Sequence, residues 1–281
     1  MWSTIKKILS TNVTQQEVSS VMYNNKTYTN DKVIASVFNK HFSRIGHTLS
    51  KVFGRVKKVV LPQPCTDSRF ELKPIPVDSV HDQLSGLKAN KAIGLDEISA
   101  RLLKDASEVI SPVLTNLINI SIDQSYFPNN WKSAKVMALF KSGDKSNCNN
   151  YRPISILPTV SKIIERTVHF QFYDYSQKNK LLSIRQFGFR RNRSTSSALL
   201  QFTDELLMNM DRGKVSGVIY LDLKKAFDTV NHAILLQKLK WVGVDSKSLQ
   251  WFQSYLSHRT QKTVLNNCYS NQCKVSIGVP Q

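Results

Sequence analysis

The run "SGVIYLDLKKAFDTVNH" (residues 216–232) holds the residue types best suited to chemistry in this chain. Four apolar residues, Val218, Ile219, Tyr220 and Leu221, stop at the carboxylate of Asp222. Lys224, Lys225 and a second acid, Asp228, follow at once. The pattern predicts a strand ending at Asp222 and a helix starting at about Asp228. A buried strand holds its last residue rigidly, which a metal-ligating carboxylate requires. Magnesium takes an octahedral shell of oxygens and accepts one or two carboxylates together with phosphates. In phosphoryl transfer two such ions, about 4 Å apart, clamp the attacking and leaving oxygens. One aspartate is a part of such a site and not the whole of it. Taken alone, an acid in this place is more often a turn former or a helix cap. Asp228 fits the cap reading, since it precedes "TVNHAILLQKL" and its charge would complement the helix dipole.

A second cluster lies in "QFGFRRNRST". Gly188 between two phenylalanines permits close backbone approach, and Arg190, Arg191 and Arg193 precede a helix start. Amides, dipole and arginines together suit a phosphate of a nucleic acid. The competing reading is a solvated basic loop with two core phenylalanines.

The elements that must position these groups read as a mixture of helices and strands. Ile34, Val37, Phe38, Phe42, Ile45 and Leu49 form one helical stripe in residues 31–49. A proline-bearing connection follows, and a soft boundary falls near residue 75. Val77, Val80, Leu84 and Leu87 recur at helical spacing, then "GLKANKAIGLDEIS" reads as a loop. Helical spacing resumes from Leu102 to Ile118 and breaks at "YFPNNWK". "KVMALF" (135–140) predicts a strand, and Ile164, Val168, Phe172 and Tyr175 a helix. Another helix carries Leu199, Phe202, Leu206 and Met210 on one face, with Ser194 or Thr195 as its cap. A helix with Ile234, Leu235 and Leu239 and a hairpin over 262–277 close the chain. Without regular βαβ alternation the class is α+β.

The charge balance narrows the partners. Across 281 residues, 39 Lys and Arg stand against 20 Asp and Glu, a formal +19. That excess favours polyanions through phosphate contacts and counterion release, although a solvated basic surface has the same count. No amphipathic stretch combines a basic face with exposed aromatics, and no apolar run approaches the roughly 20 residues of a membrane span. The opening "MWSTIKKILSTNVT" lacks a signal-peptide core. Cys65, Cys148, Cys268 and Cys273 form no CxxC pair; Cys268 and Cys273 flank a turn where they could meet, but free thiols are favoured. The expected location is intracellular, nuclear or cytoplasmic, with no membrane partner.

Several blocks in order carry a resemblance. "YLDLKKAFDTVNH" resembles the first catalytic-acid block of reverse transcriptases of non-LTR retrotransposons of the Jockey type. "LKANKAIGLDEIS", "WKSAKVMALFKSGD", "NYRPISILPTVSKIIERTV" and "LLSIRQFGFRRNRSTSSAL" are similar to successive blocks of that family, "IGVPQ" to the start of the next, and "VFNKHFSRIG" to its leader. The match runs from about residue 30 to 281, and ordered blocks are more specific than any one motif.

The resemblance implies an RNA-directed DNA polymerase: a helical leader over 1–75, a fingers-like region over 76–215 and a partial palm over 216–281. Its substrates would be an RNA template, a DNA primer and dNTPs. Asp222, with the carbonyl of Leu223, would bind Mg2+. The backbone of Lys224, Lys225 and Ala226 would face the triphosphate, which consecutive amides suit. Phe227 would exclude a ribose 2′-OH by its bulk. Lys141 and Arg152 would reach the triphosphate, Arg152 bidentately, and Gln281 would lie beside the sugar. Gln186, Gly188, Arg190, Arg191 and Arg193 would contact the template strand.

In the family a second acidic block and a thumb follow downstream. The sequence reads as a C-terminally truncated fragment with an incomplete magnesium site, inactive by itself. The rival expectation is a non-catalytic, basic RNA-binding module derived from such a domain.

Overall fold

A computed structural model describes residues 18–52, 61, 62, 64–223 and 225–280. The opening segment, Lys224 and Gln281 therefore lie outside the described residues. A short hairpin, β1 (Val21–Tyr23) and β2 (Lys26–Tyr28), turns through Asn24 and Asn25, both at positive φ. Helix α1 (Asp31–Val52) follows, then α2 (Val77–Ser85), α3 (Ala100–Asp105) and α4 (Ser107–Asp123). The sheet begins with β3 (Ser133–Phe140) and β4 (Tyr151–Ile156). After α5 (Thr159–Lys178) and α6 (Thr195–Asp211) come α7 (His232–Trp241), α8 (Ser246–Leu256), β5 (Arg259–Leu265), β6 (Cys268–Tyr269) and β7 (Cys273–Val275). Among the described residues no helix is long and apolar enough to cross a membrane.

The five-stranded sheet is mixed. β3 lies between β4, antiparallel, and β5, parallel, while β6 and β7 share the far edge of β5. The predicted hairpin is present, but its turn lies before Cys268 and not between Cys268 and Cys273. Asn266 and Asn267 both take positive φ, the conformation a two-residue turn between Leu265 and Cys268 needs. Register places Cys268 opposite Leu265 and Cys273 opposite Gln261, so the two thiols are not brought together, and all four cysteines are free.

Two apolar cores organise the chain. The helical one gathers Leu84, Ile118, Phe127, Ile163, Ile164 and Trp251 from α2, α4, α5, α8 and the turn before β3. The second joins Ile34, Phe38 and Phe42 of α1 to Val136 and Tyr151 of the sheet. The stripe predicted for residues 31–49 is thus buried on the inner sheet face. Asn39, fully buried on the same helix, is satisfied there: it donates to the carbonyls of Gln261 (3.3 Å) and Asn271 (2.7 Å) and accepts from Gln261 and Thr263.

One expectation is overturned. The strand predicted to end at Asp222 is absent: residues 214–223 belong to no helix or strand, and Ile219, Tyr220 and Leu221 are 84–88% exposed. A strand exists only through its ladder partner, and both edges of β3 and of β5 are already paired. Helix α6 is capped by Ser194 in a capping box, as its sequence suggested. Its apolar face, however, buries none of its residues, and Leu199 and Met210 are exposed.

Candidate active site

The acid-bearing turn is built from residues far apart in sequence. Lys225 takes a left-handed conformation (φ 53°) and opens a 3-10 turn, Ala226–Thr229. Asp228 lies inside that turn and does not cap α7, which starts at His232; the cap is Asn231, whose side chain accepts from the Ile234 amide. The cap expectation for Asp228 fails because Asn231, immediately before the helix, is better placed.

Residues 277–280 hold the turn from one side. Val279 donates to the Phe227 carbonyl (2.9 Å) and Gly278 to the Val230 carbonyl (2.9 Å). The His232 ring meets the Gly278 carbonyl at 2.7 Å. Gly278 sits at φ 84°, and a Cβ there would stand 2.8 Å from the Asp228 carbonyl oxygen. On the other side a Cβ on Gly46 of α1 would overlap that same carbonyl. Two glycines, 232 residues apart in number, therefore let three chain segments meet at one peptide group.

The charged groups around the turn interact. Burial raises the Asp228 carboxyl above its usual value, opposed by the Lys225 ammonium. Burial and then the Lys225 charge lower His41, on α1, to about 4. Lys225 thus faces inward, and its side chain lines a cleft with His41, Arg44 and Asn149. A neighbouring cavity of about 50 Å³ is lined by Pro153 and Ser155 of β4, by Asp228, and by Gly278, Val279 and Pro280. The blocks that carry Arg152, Phe227 and the chain's last residues meet there.

Asp222 and Leu223 lie on the exposed segment just before this turn. Among the described residues no group of three His, Cys, Asp or Glu side chains comes together. One solvent-facing carboxylate and one backbone carbonyl are too few oxygens for two hard cations, so the donors present do not make up the magnesium site that the resemblance implies. Phe227, half-exposed, meets Phe189 edge to face at 6.0 Å, which links the "FGFRR" block to the turn.

Lys141 and Arg152 are both exposed and lie at the same end of the β3–β4 pair. The Lys141 amide donates to the Asn150 carbonyl (2.8 Å), and Arg152 is opposite Leu139. The second cluster lies on turns between α5 and α6. Among the described residues nothing stands within 4 Å of a Cβ on Gly188, so that side of its backbone is open. The arginines are engaged within the chain. Arg190 donates to the Ser183 carbonyl and to Gln177 (both 2.7 Å), Arg191 pairs with Asp174 (3.3 Å) over the Phe170 and Tyr173 rings, and Arg193 stacks on Phe187. Gln186 reaches the Gly188 carbonyl at 3.2 Å.

Sequence reasoning missed Gly46, His41 and His232. Gly46 carried a faint signal, a glycine within an otherwise unbroken helical stripe; the two histidines carried none.

Comparison with known proteins agrees with the blocks. Residues 141–281 match the family model described as reverse transcriptase (RNA-dependent DNA polymerase). The chain is 29% identical over 217 residues to the probable RNA-directed DNA polymerase from transposon BS of Drosophila melanogaster, covering 75% of this chain and 23% of that protein. It is 29% identical over 211 residues to the RNA-directed DNA polymerase from mobile element jockey of the same species, with the same coverage. Against the probable polymerase from transposon X-element it is 30% identical over 193 residues, 68% of this chain and 21% of the relative. The chain thus spans under a quarter of the length of these relatives. With half of its length matching the family model and its relatives drawn from such elements, the chain belongs to the reverse transcriptases of non-LTR retrotransposons.

Proposed function

We propose that this chain supplies the fingers and the first part of the palm of an enzyme that copies RNA into DNA. The meeting of the Pro153–Ser155, Phe227–Asp228 and Gly278–Pro280 segments around one cavity carries this reading. In it Lys141 and Arg152 hold the triphosphate of a dNTP, and the amides of Lys224, Lys225 and Ala226 face the same group. The Phe227 ring excludes a ribose 2′-OH, and Gln281 steadies the sugar. Gln186, Gly188 and the arginines that follow lie along the template, with Asp222 and the Leu223 carbonyl at the reacting end.

In this reading the isolated chain holds substrates without joining them, because the described residues bring no group of three His, Cys, Asp or Glu side chains together. The test is titration of a primed RNA template and of a dNTP against the 281-residue chain. RNA affinity should fall steeply with salt, and Arg152→Gln should weaken dNTP binding on the order of tenfold, one bidentate phosphate contact. Insensitivity of nucleotide binding to that change would count against the assignment, and robust primer extension with magnesium would refute the inactivity.

The exposure of Asp222 favours a second reading, a module that binds RNA and performs no chemistry. Salt-dependent RNA binding without any dNTP binding would select it.

A further inference from the structure

β3 and β5 run parallel with Ser133 opposite Thr260, and this register sets Lys132, just before β3, near Arg259, the first residue of β5. Both side chains are buried, 2% and 3% exposed. Lys132 Nζ donates to Asn129 Oδ1 at 3.0 Å and lies 5.5 Å from the Tyr126 ring centre. Arg259 Nη1 donates to the Tyr255 carbonyl at 3.0 Å, its guanidinium 4.8 Å from that ring, while Nη2 meets no acceptor. Neither cation has an ion pair among the described residues.

The acids nearby make their hydrogen bonds and strongest contacts with other groups. Glu165 feels the Arg259 charge, but its carboxylate accepts from Ser161 at 2.8 Å and from the Tyr255 hydroxyl. Asp228 lines the same cavity, and the cation acting on it is Lys225. Burial, and then the Arg259 charge, lower the Lys132 ammonium below its usual value, so the two cations disfavour each other. Glu165 offsets part of the Arg259 charge, but two buried cations side by side still weaken a fold, and an anion between them opposes that effect.

Lys132 and Arg259 line the cavity of about 50 Å³ together with Ser155, Thr260 and Gly278. At about 10–15 Å³ for each water-sized sphere, that is room for a few non-hydrogen atoms. We propose that this cavity binds a small phosphate-class oxyanion between Lys132 and Arg259. The guanidinium offers a fixed fork to two oxygens and the ammonium a point charge to a third. Ser155 and Thr260 border it as well, the Thr260 hydroxyl being hydrogen-bonded to that of Ser133 (2.9 Å). The site is separate from Lys141 and Arg152, and it stands whether or not the chain handles nucleotides.

The experiment is calorimetric titration of inorganic phosphate into the full 281-residue chain at about 0.3 M NaCl, which screens the exposed charges. One saturable site is expected. Lys132→Met keeps the buried stem and removes the charge, and Arg259→Gln removes the fork; each should weaken binding at least about tenfold. Arg101→Gln, at an exposed cation of α3, should leave it unchanged. Circular dichroism establishes folding of each variant, and Lys132→Met stands alone if Arg259→Gln fails to fold. A dNTP added in competition separates the sources: displacement identifies a nucleotide phosphate as the occupant, and its absence identifies a free oxyanion. The proposal is overturned if the wild-type chain shows no saturable binding, if Lys132→Met binds as wild type does, or if Arg101→Gln alone abolishes binding.

Discussion

β3, "SAKVMALF", and the segment 216–223, "SGVIYLDL", are close in length and apolar content, yet they fare oppositely. β3 lies between two partners and buries Ala134 and Val136. The other segment has no strand partner among the described residues, and its apolar side chains face solvent. The same contrast separates α1, which buries its stripe under the sheet and satisfies Asn39 there, from α6, which is well capped and buries nothing. Local pattern and good caps are insufficient; an element becomes part of a core when a distant partner receives its apolar face.

The contrast is open to measurement. The largest effect belongs to Phe38→Ala, a fully buried ring on α1. It should cost about 3–5 kcal/mol in urea unfolding, and a loss under about 1 kcal/mol would mean that α1 is not part of the core.

Acidification should act nearly as strongly through α1. His41 titrates at about 4 in the folded chain, below its usual 6.5, so the unfolded state takes up the proton first. Stability is complete above about pH 6.5 and falls as pH drops towards 4, by about 3 kcal/mol at the lower end. His41→Gln should remove that share of the acid sensitivity; identical pH–stability curves for the two proteins would exclude His41 as its source.

Two glycines sharpen the comparison further. Gly278→Ala should cost about 1–3 kcal/mol, through its positive φ and the nearby Asp228 carbonyl. Gly188→Ala, in open space, should stay within about 0.5 kcal/mol. Equal effects would show that the turn at Asp228 is not held as described.

The smallest change is expected in the segment without a partner. Ile219→Ser should leave stability within about 0.5 kcal/mol. Its amides should exchange hydrogen almost without protection, while those of Val136 and Thr263 exchange slowly. Protection of residues 218–222 comparable to β3 would contradict their exposed, unpaired placement.

Much of this arrangement is legible in the chain. The α1 stripe, the Ser194 cap and the β3 strand are legible from neighbours within a few positions, whereas the hairpin turn falls at Asn266–Asn267 and not between the two cysteines. The blocks around Arg152, Phe227 and Gly278 pointed to the family without any structure. The Asp228 cap was misassigned because two side chains competed for one helix start, and the one beside it, Asn231, prevailed. Gly188 marks a limit of such reading: a glycine announces permission for a close contact, and no segment of the described chain approaches it.

By itself the sequence determined the local elements, the basic balance and the family, since periodicity, caps and ordered blocks are properties of contiguous residues. The tertiary structure alone decided that Lys132 neighbours Arg259, that Gly46 and Gly278 close on one peptide group, and that residues 218–221 form no strand. Those outcomes depend on which distant segments pair, and pairing energy arises only once the chain has brought them together.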